Sequence, residues 1–403
     1  MNLADAAALD RVRELADGLL ESGRPLTALE HLEQSLLAER ESVALAGHLA
    51  VRLARARRAV EALPGPIRVD VVFAMYKEHH RIQPSREHEH GEDFLRRKLD
   101  QLSWLFAGRE DIDWRLWPID DGCPEGSGKL AEGIAREHQE GGRVNVRFLA
   151  DAIQAGHPAT EGLSSAADSQ KGGSILYGMS EAAAAPAKDP SRHVVIFTDA
   201  DLSTHLGQVG LLLSPILAGG AAAAIGSRRE IASVVVKKGV RNTRGKLFIY
   251  LWKRLIDVLP QVIDSQCGFK AFDASMIRSI AHPSVEKRFA FDLELLTKTA
   301  LREGKIEKVA VAWIDSEAES TTTDLQPYLP MLQALTRVYR AYLPARPEAE
   351  GFASFIESLD EPSWQHLLDN IPEEIAQADP TTFGTYDAVS AQQLRAAATK
   401  ADS

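Results

Sequence analysis

Apolar residues recur at helical spacing from the start of the chain. Leu9, Val12, Leu15, Leu19 and Leu20 are followed by Leu26, Leu29, Leu32, Leu36 and Leu37. Gly23 and Pro25 separate a first helix from a second, residues 53–58 close a third, and Pro64-Gly65-Pro66 ends the segment. The texture then changes. Residues 67–74 read as a first strand, and a polar stretch leads to a helix over 92–106. A second strand, 114–119, ends at Asp120-Asp121-Gly122 and precedes a helix over 129–139. Residues 144–148 read as a strand, 173–184 as a helix and 193–198 as a strand. Pro215, Gly219 and Gly220 interrupt the apolar stretch 209–226, which reads as helix, turn and buried strand (221–227) rather than a membrane span. Strands alternating with helices predict an α/β domain with a largely parallel sheet. From Leu325 the chain turns helical and acidic again, punctuated by Pro344, Pro347, Pro362, Pro372 and Pro380. The expected organisation is a helical segment 1–64, an α/β domain 65–324 and a helical region 325–403.

Composition narrows the class. With 403 residues, 45% hydrophobic and 26% charged, the chain is an ordinary globular protein too long for one small core. A net charge of -11 argues against a general nucleic-acid binder. Two cysteines, Cys123 and Cys267, imply no disulfide framework and suit a reducing, cytoplasmic setting. The N-terminus lacks the basic and apolar regions of a signal peptide. The Leu-rich faces of the flanking helices, 1–62 or 325–370, suggest a homodimer interface.

Candidate chemistry gathers at strand ends. Asp199-Ala200-Asp201 follows strand 193–198 and delivers two hard oxygen ligands, suited to Mg²⁺ or Mn²⁺ on a phosphate-bearing substrate. Alone, such a pair reads more readily as a turn or helix cap. Asp120-Asp121-Gly122 is a second acidic pair whose carboxylates suit a nucleobase edge, with a turn as the bland reading. Lys171-Gly172-Gly173 opens a helix and would bring backbone N–H groups close to an anion. Lys237, Arg241 and Arg244 share a helical face that Lys238, Lys246, Lys253 and Arg254 thicken, a phosphate-binding candidate or a solvated face. Asp292 sits among aromatic and aliphatic residues, which suits a general base of raised pKa or, more simply, an N-cap. His79, His80, His88 and His90 make a metal site imaginable in what otherwise reads as a polar loop.

In order along residues 67–320, these motifs resemble glycosyltransferase family 2, of GT-A fold. The nearest look-alikes are the dolichyl- and polyprenyl-phosphate glucosyl- and mannosyltransferases. The resemblance rests on Thr198-Asp199-Ala200-Asp201-Leu202-Ser203, Asp264-Ser265-Gln266-Cys267-Gly268-Phe269-Lys270, and Phe289-Ala290-Phe291-Asp292-Leu293-Glu294-Leu295-Leu296. It implies a Rossmann-like, largely parallel mixed sheet flanked by helices, with helical additions at both ends. It implies an inverting, metal-dependent transferase using a GDP- or UDP-linked sugar. Asp201, with Asp199, would ligate the metal. Ala74, Tyr76, Glu78, Asp120, Asp121, Lys171, Asp199, Arg241 and Arg244 would contact the donor. Gln266, Cys267, Phe269, Glu317 and Glu319 would contact the acceptor, and Asp292 would be the base. The chain departs from the family at Ala74-Met75-Tyr76-Lys77-Glu78, where a Pro-x-Tyr-Asn-Glu element usually stands. No transmembrane helix follows the catalytic motifs, so the expected acceptor is a small soluble molecule with an oxygen or sulfur nucleophile, and membrane association is not expected. A polyprenyl phosphate acceptor served by a membrane partner, and a non-catalytic nucleotide-sugar-binding or scaffold protein, are the alternatives.

Overall fold

A computed structural model describes residues 5–38, 45–236, 242–315, 327–384 and 389–399. Its strands are β1 (Ile67–Met75), β2 (Ile112–Asp120), β3 (Arg147–Phe148), β4 (His193–Thr198), β5 (Ala223–Ser227), β6 (Val234–Val236), β7 (Phe269–Asp273), β8 (Ile306–Ala310) and β9 (Ala312–Ile314). Seven form one sheet, in the order β3-β2-β1-β4-β7-β5-β8. All pairs are parallel except those of β7, which runs antiparallel to both β4 and β5. A small parallel pair, β6 with β9, stands apart. The expected mixed, largely parallel sheet flanked by helices is therefore present, with helical additions at both ends.

β1 and β4 are buried almost throughout because helices cover both faces of the sheet, and the polar residues within them, Arg68, Asp70 and His193, bond one another. One face packs against the N-terminal helices and the helices Phe94–Phe106 and Val209–Leu217. The other packs against Gly172–Ala184, Asn242–Leu255, Phe291–Leu301 and the C-terminal helices. On the leucine-rich face of the N-terminal helices, Leu9, Leu19, Leu20 and Leu37 pack partly against the core, whereas Leu15 is 41% exposed. Val12, Leu29, Leu49, Leu53 and Val60 are all buried in the core they share with the sheet.

The reversal of β7 matters for the site. Its first residue, Phe269, pairs with the last residue of β4, Thr198. The segment 264–268 therefore enters at the same sheet edge where β1, β2, β4 and β5 end. The strand expected over 144–148 shrinks to two residues, Arg147–Phe148, after a single 3₁₀ turn at Gly141–Arg143. Only a bridge between Leu116 and Val144 precedes β3.

Candidate functional site

Asp199 and Asp201 leave the end of β4 with side chains partly open to solvent, 31% and 22% exposed. The Lys171 ammonium forms an ion pair with Asp199 Oδ1. Burial works against the Asp199 charge, but Lys171, Lys270 and Arg228 hold the carboxyl below its usual range. Asp199 also lies directly over Gly268, where a Cβ would collide with the carboxylate.

Lys171 is aimed by its backbone, held at φ +98°. Its N–H donates to Asp121 Oδ2 at 2.7 Å, and Ser174 Oγ donates to Asp121 Oδ1 at 2.7 Å. The anion at this helix start is thus the protein's own Asp121. The two glycines serve packing rather than a phosphate: Gly172 has no space for a Cβ against the carbonyls of Lys287 and Arg288, and Gly173 N donates to Lys287 O at 2.7 Å. Asp120 clamps its own loop, accepting from Cys123 N (2.8 Å) and Gly128 N (2.7 Å). Both acids of the Asp120-Asp121 pair are buried, and each of their oxygens accepts a hydrogen bond from the chain, so they hold the loop and the helix start in shape.

Around Asp201, Ser203 N donates to Oδ1 at 3.0 Å, and Lys98 Nζ reaches the Asp201 carbonyl at 2.7 Å. Lys98 is fully buried, which pushes its ammonium down to about 8. Arg81 grips Glu78 bidentately at 2.7 and 2.6 Å and brings Nη1 to 3.9 Å from Asp201 Oδ2. Glu78 is therefore committed to Arg81. Ala74 packs into the core beside β2, whereas Tyr76 is 45% exposed at the rim.

The second half of the site comes from β5, β7 and the helix Phe291–Leu301. Arg228, just after β5, chelates Asp264 at 2.8 and 2.7 Å and keeps that carboxyl well below the usual range despite burial. Asp292 is 4% exposed. Its Oδ1 accepts from Gln266 Nε2 (3.0 Å) and Leu293 N (2.8 Å), and its Oδ2 accepts from Lys270 Nζ (3.1 Å). Burial raises Asp292 above the ordinary aspartate range in spite of Lys270 and Lys171. Two acceptor expectations need correction. Cys267 is fully buried, its thiol pushed up to about 12 by burial, and Phe269 is a fully buried strand residue. Both belong to the core beneath the sheet edge, because β7 must pack against its neighbours there.

Glu317, Glu319, Arg241, Lys237 and Lys238 lie outside the described residues. Arg244 is half-buried on the helix Asn242–Leu255. Three neighbours expected to add phosphate-binding charge are engaged elsewhere. Lys246 bonds Ala376 O (2.8 Å), Lys253 bonds Pro260 O (2.6 Å), and Arg254 stacks on Tyr250. The histidines form a column, with His80 stacked on His88 at 3.8 Å between ring centroids. Among the described residues no group of three His, Cys, Asp or Glu side chains is placed to hold a metal ion. Asp199 and Asp201 thus offer two carboxylates and no closed cage. This donor set fits Mg²⁺ or Mn²⁺, which keep waters and take further oxygens from phosphates.

Four cations at this edge, Arg81, Lys98, Arg228 and Lys270, carry roles that motif reading does not assign. Lys98 has a signal in the sequence, since it interrupts the apolar stripe of Phe94, Leu95, Leu99 and Leu102. Arg228 has one too, following a buried strand at the edge where the other strands end.

No family model matches the chain, and no curated protein matches it. Solved structures of glucosyl-3-phosphoglycerate synthase from Mycobacterium tuberculosis are similar to it. The complex with Mn²⁺, UDP and glucosyl-3-phosphoglycerate shares 17% identity over 73% of this chain and 85% of that one, at a TM-score of 0.47. The complex with phosphoglyceric acid gives 17%, 73%, 85% and 0.48. The complex with Mn²⁺, UDP-glucose and phosphoglyceric acid gives 18%, 73%, 85% and 0.47. Likeness at this level identifies no activity. Among the described residues, no helix is long and apolar enough to cross a membrane.

Proposed function

We propose that the chain is a metal-dependent, inverting glycosyltransferase that moves a sugar from a nucleoside-diphosphate sugar to a small soluble acceptor. One observation carries the reading. Lys171 bonds Asp199 and lies within electrostatic reach of both Asp201 and Asp292. A metal-competent carboxylate pair and a buried, raised-pKa carboxylate therefore flank one cation at a single sheet edge.

Asp199 and Asp201 would hold Mg²⁺ or Mn²⁺, which supplies Lewis-acid neutralisation of the departing diphosphate. Lys171 and Arg81 set cations beside the same path, preorganised for the charge that develops there. Tyr76 offers an exposed ring face at the rim for the donor. Asp292 takes the proton from the acceptor nucleophile. Oδ1 already accepts two hydrogen bonds and Oδ2 one, so Oδ2 is the atom with room for that proton. The acceptor attacks the anomeric carbon as the bond to the diphosphate oxygen breaks, and the nucleoside diphosphate leaves with that electron pair. Glu317 and Glu319 remain candidates for closing over the acceptor.

The test is to incubate the protein with Mn²⁺, UDP- and GDP-sugars and a panel of hydroxyl and thiol acceptors, then read product configuration by NMR. An inverted anomeric centre supports the reading. Retention of configuration contradicts the base role of Asp292.

A further inference from the structure

The antiparallel strand β7 carries one side chain that its core position does not explain. Lys270 pairs in register with Phe197 of β4 and is fully buried. Burying an ammonium is costly unless it is paired and hydrogen-bonded. Its Nζ donates to Cys267 O at 2.6 Å and to Asp292 Oδ2 at 3.1 Å, and it lies 5.2 Å from the centre of the Phe197 ring. Beside it, Phe269 and Ala271 pack into one core and Phe272 into the other.

We propose that Lys270 is a positioning residue that keeps Asp292 charged and aimed, and so sets the pH at which turnover begins. This rests on the reading of Asp292 as the base. The charged and polar groups facing Asp292 are Lys270 from β7, Gln266 from the preceding loop and Lys171 from the start of the helix Gly172–Ala184. Lys270 itself also faces Asp199 and Asp264. Lys171 is bonded to Asp199 and Gln266 is neutral, which leaves Lys270, among the described residues, as the cation bonded directly to Asp292. Without it, a carboxylate so little exposed would hold its proton at neutral pH and lose its function as a base.

The experiment is the pH profile of turnover for wild type, Lys270→Met and Lys270→Arg, with nucleoside-diphosphate binding measured in parallel. For Lys270→Met the acid limb should move up by at least one unit. Turnover should fall about tenfold or more at pH 7 and recover towards pH 9, with donor KM within about twofold. Lys270→Arg keeps the charge and should leave the limb within about half a unit. It also serves as the test if Lys270→Met does not fold, since a limb displaced by a full unit while charge is retained overturns the proposal. A uniform loss of turnover at every pH by Lys270→Met overturns it as well. If Asp292→Asn retains wild-type turnover, the base reading itself fails, a result distinct from either outcome at Lys270.

Discussion

Gly268 lies beneath Asp199 so closely that no Cβ fits between its backbone and the carboxylate, and the Asp199 amide donates to the Gly268 carbonyl at 3.2 Å. The loop before β7 and the end of β4 thus fix one another, and the glycine is what lets the carboxylate settle there. Gly268→Ala should leave the fold intact, because the atoms it displaces belong to a side chain. It should weaken Mn²⁺-dependent nucleoside-diphosphate binding by about tenfold or more, which calorimetry on the variant checks.

Asp292→Asn removes the proposed proton acceptor while keeping shape and the Gln266 contact. General-base assistance is worth about 10²–10⁴ in rate. Turnover should fall by that range with diphosphate binding nearly unchanged, so kinetics and calorimetry on one preparation decide the matter.

Arg228 and Asp264 form a mostly buried, bidentate pair. Removing one partner of such a pair typically costs about 3–5 kcal/mol, because the other charge is left behind. Arg228→Ala should therefore lower stability by about that amount at neutral pH. Asp264 is held below its unfolded value, so its contribution is present above the ordinary carboxylate range and fades as pH falls through the folded value. Denaturant melts of the variant and wild type at pH 7 and pH 3 should show the gap between them narrowing at the lower pH without closing, since pH 3 still lies above the folded value of Asp264.

His205 gives a pH dependence of known sign. Burial, with Lys98 nearby, pushes its imidazole down to about 3, and its Nδ1 accepts from Gly207 N at 2.9 Å. The unfolded chain binds a proton near pH 6.5 that the folded chain refuses. Stability from this group is complete above pH 6.5 and declines as pH falls toward 3, by about 1.4 kcal/mol per unit. His205→Gln should flatten the stability curve between pH 6 and 4, read from chemical denaturation.

Much of this architecture is legible in sequence, for physical reasons. β4 lies at the bounds its sequence predicts, since six consecutive buried residues are bracketed by turn formers and acids. The Asp199-Asp201 pair, Lys171 and Asp292 come from three separate motifs, and the fold brings them to one edge. The readings that change concern partners that only folding supplies. Nothing local to Asp121 says that its carboxylate will cap the Lys171 backbone 50 residues away. Cys267 and Phe269 stand in a polar-looking motif, yet the reversal of β7 turns both into core. Lys246 and Arg254 look like a basic face until the C-terminal region folds onto them, and Lys253 until it turns to the carbonyl of Pro260.

The central claim is that Asp199 and Asp201 form a metal-assisted diphosphate site. Calorimetric titration with UDP, GDP, CDP and dTDP, each with and without Mn²⁺, tests it most directly, with Asp201→Ala as control. The account predicts micromolar binding of one diphosphate that needs the metal and is lost in Asp201→Ala. No binding of any diphosphate by the folded wild-type protein, or equal binding by Asp201→Ala, would contradict it.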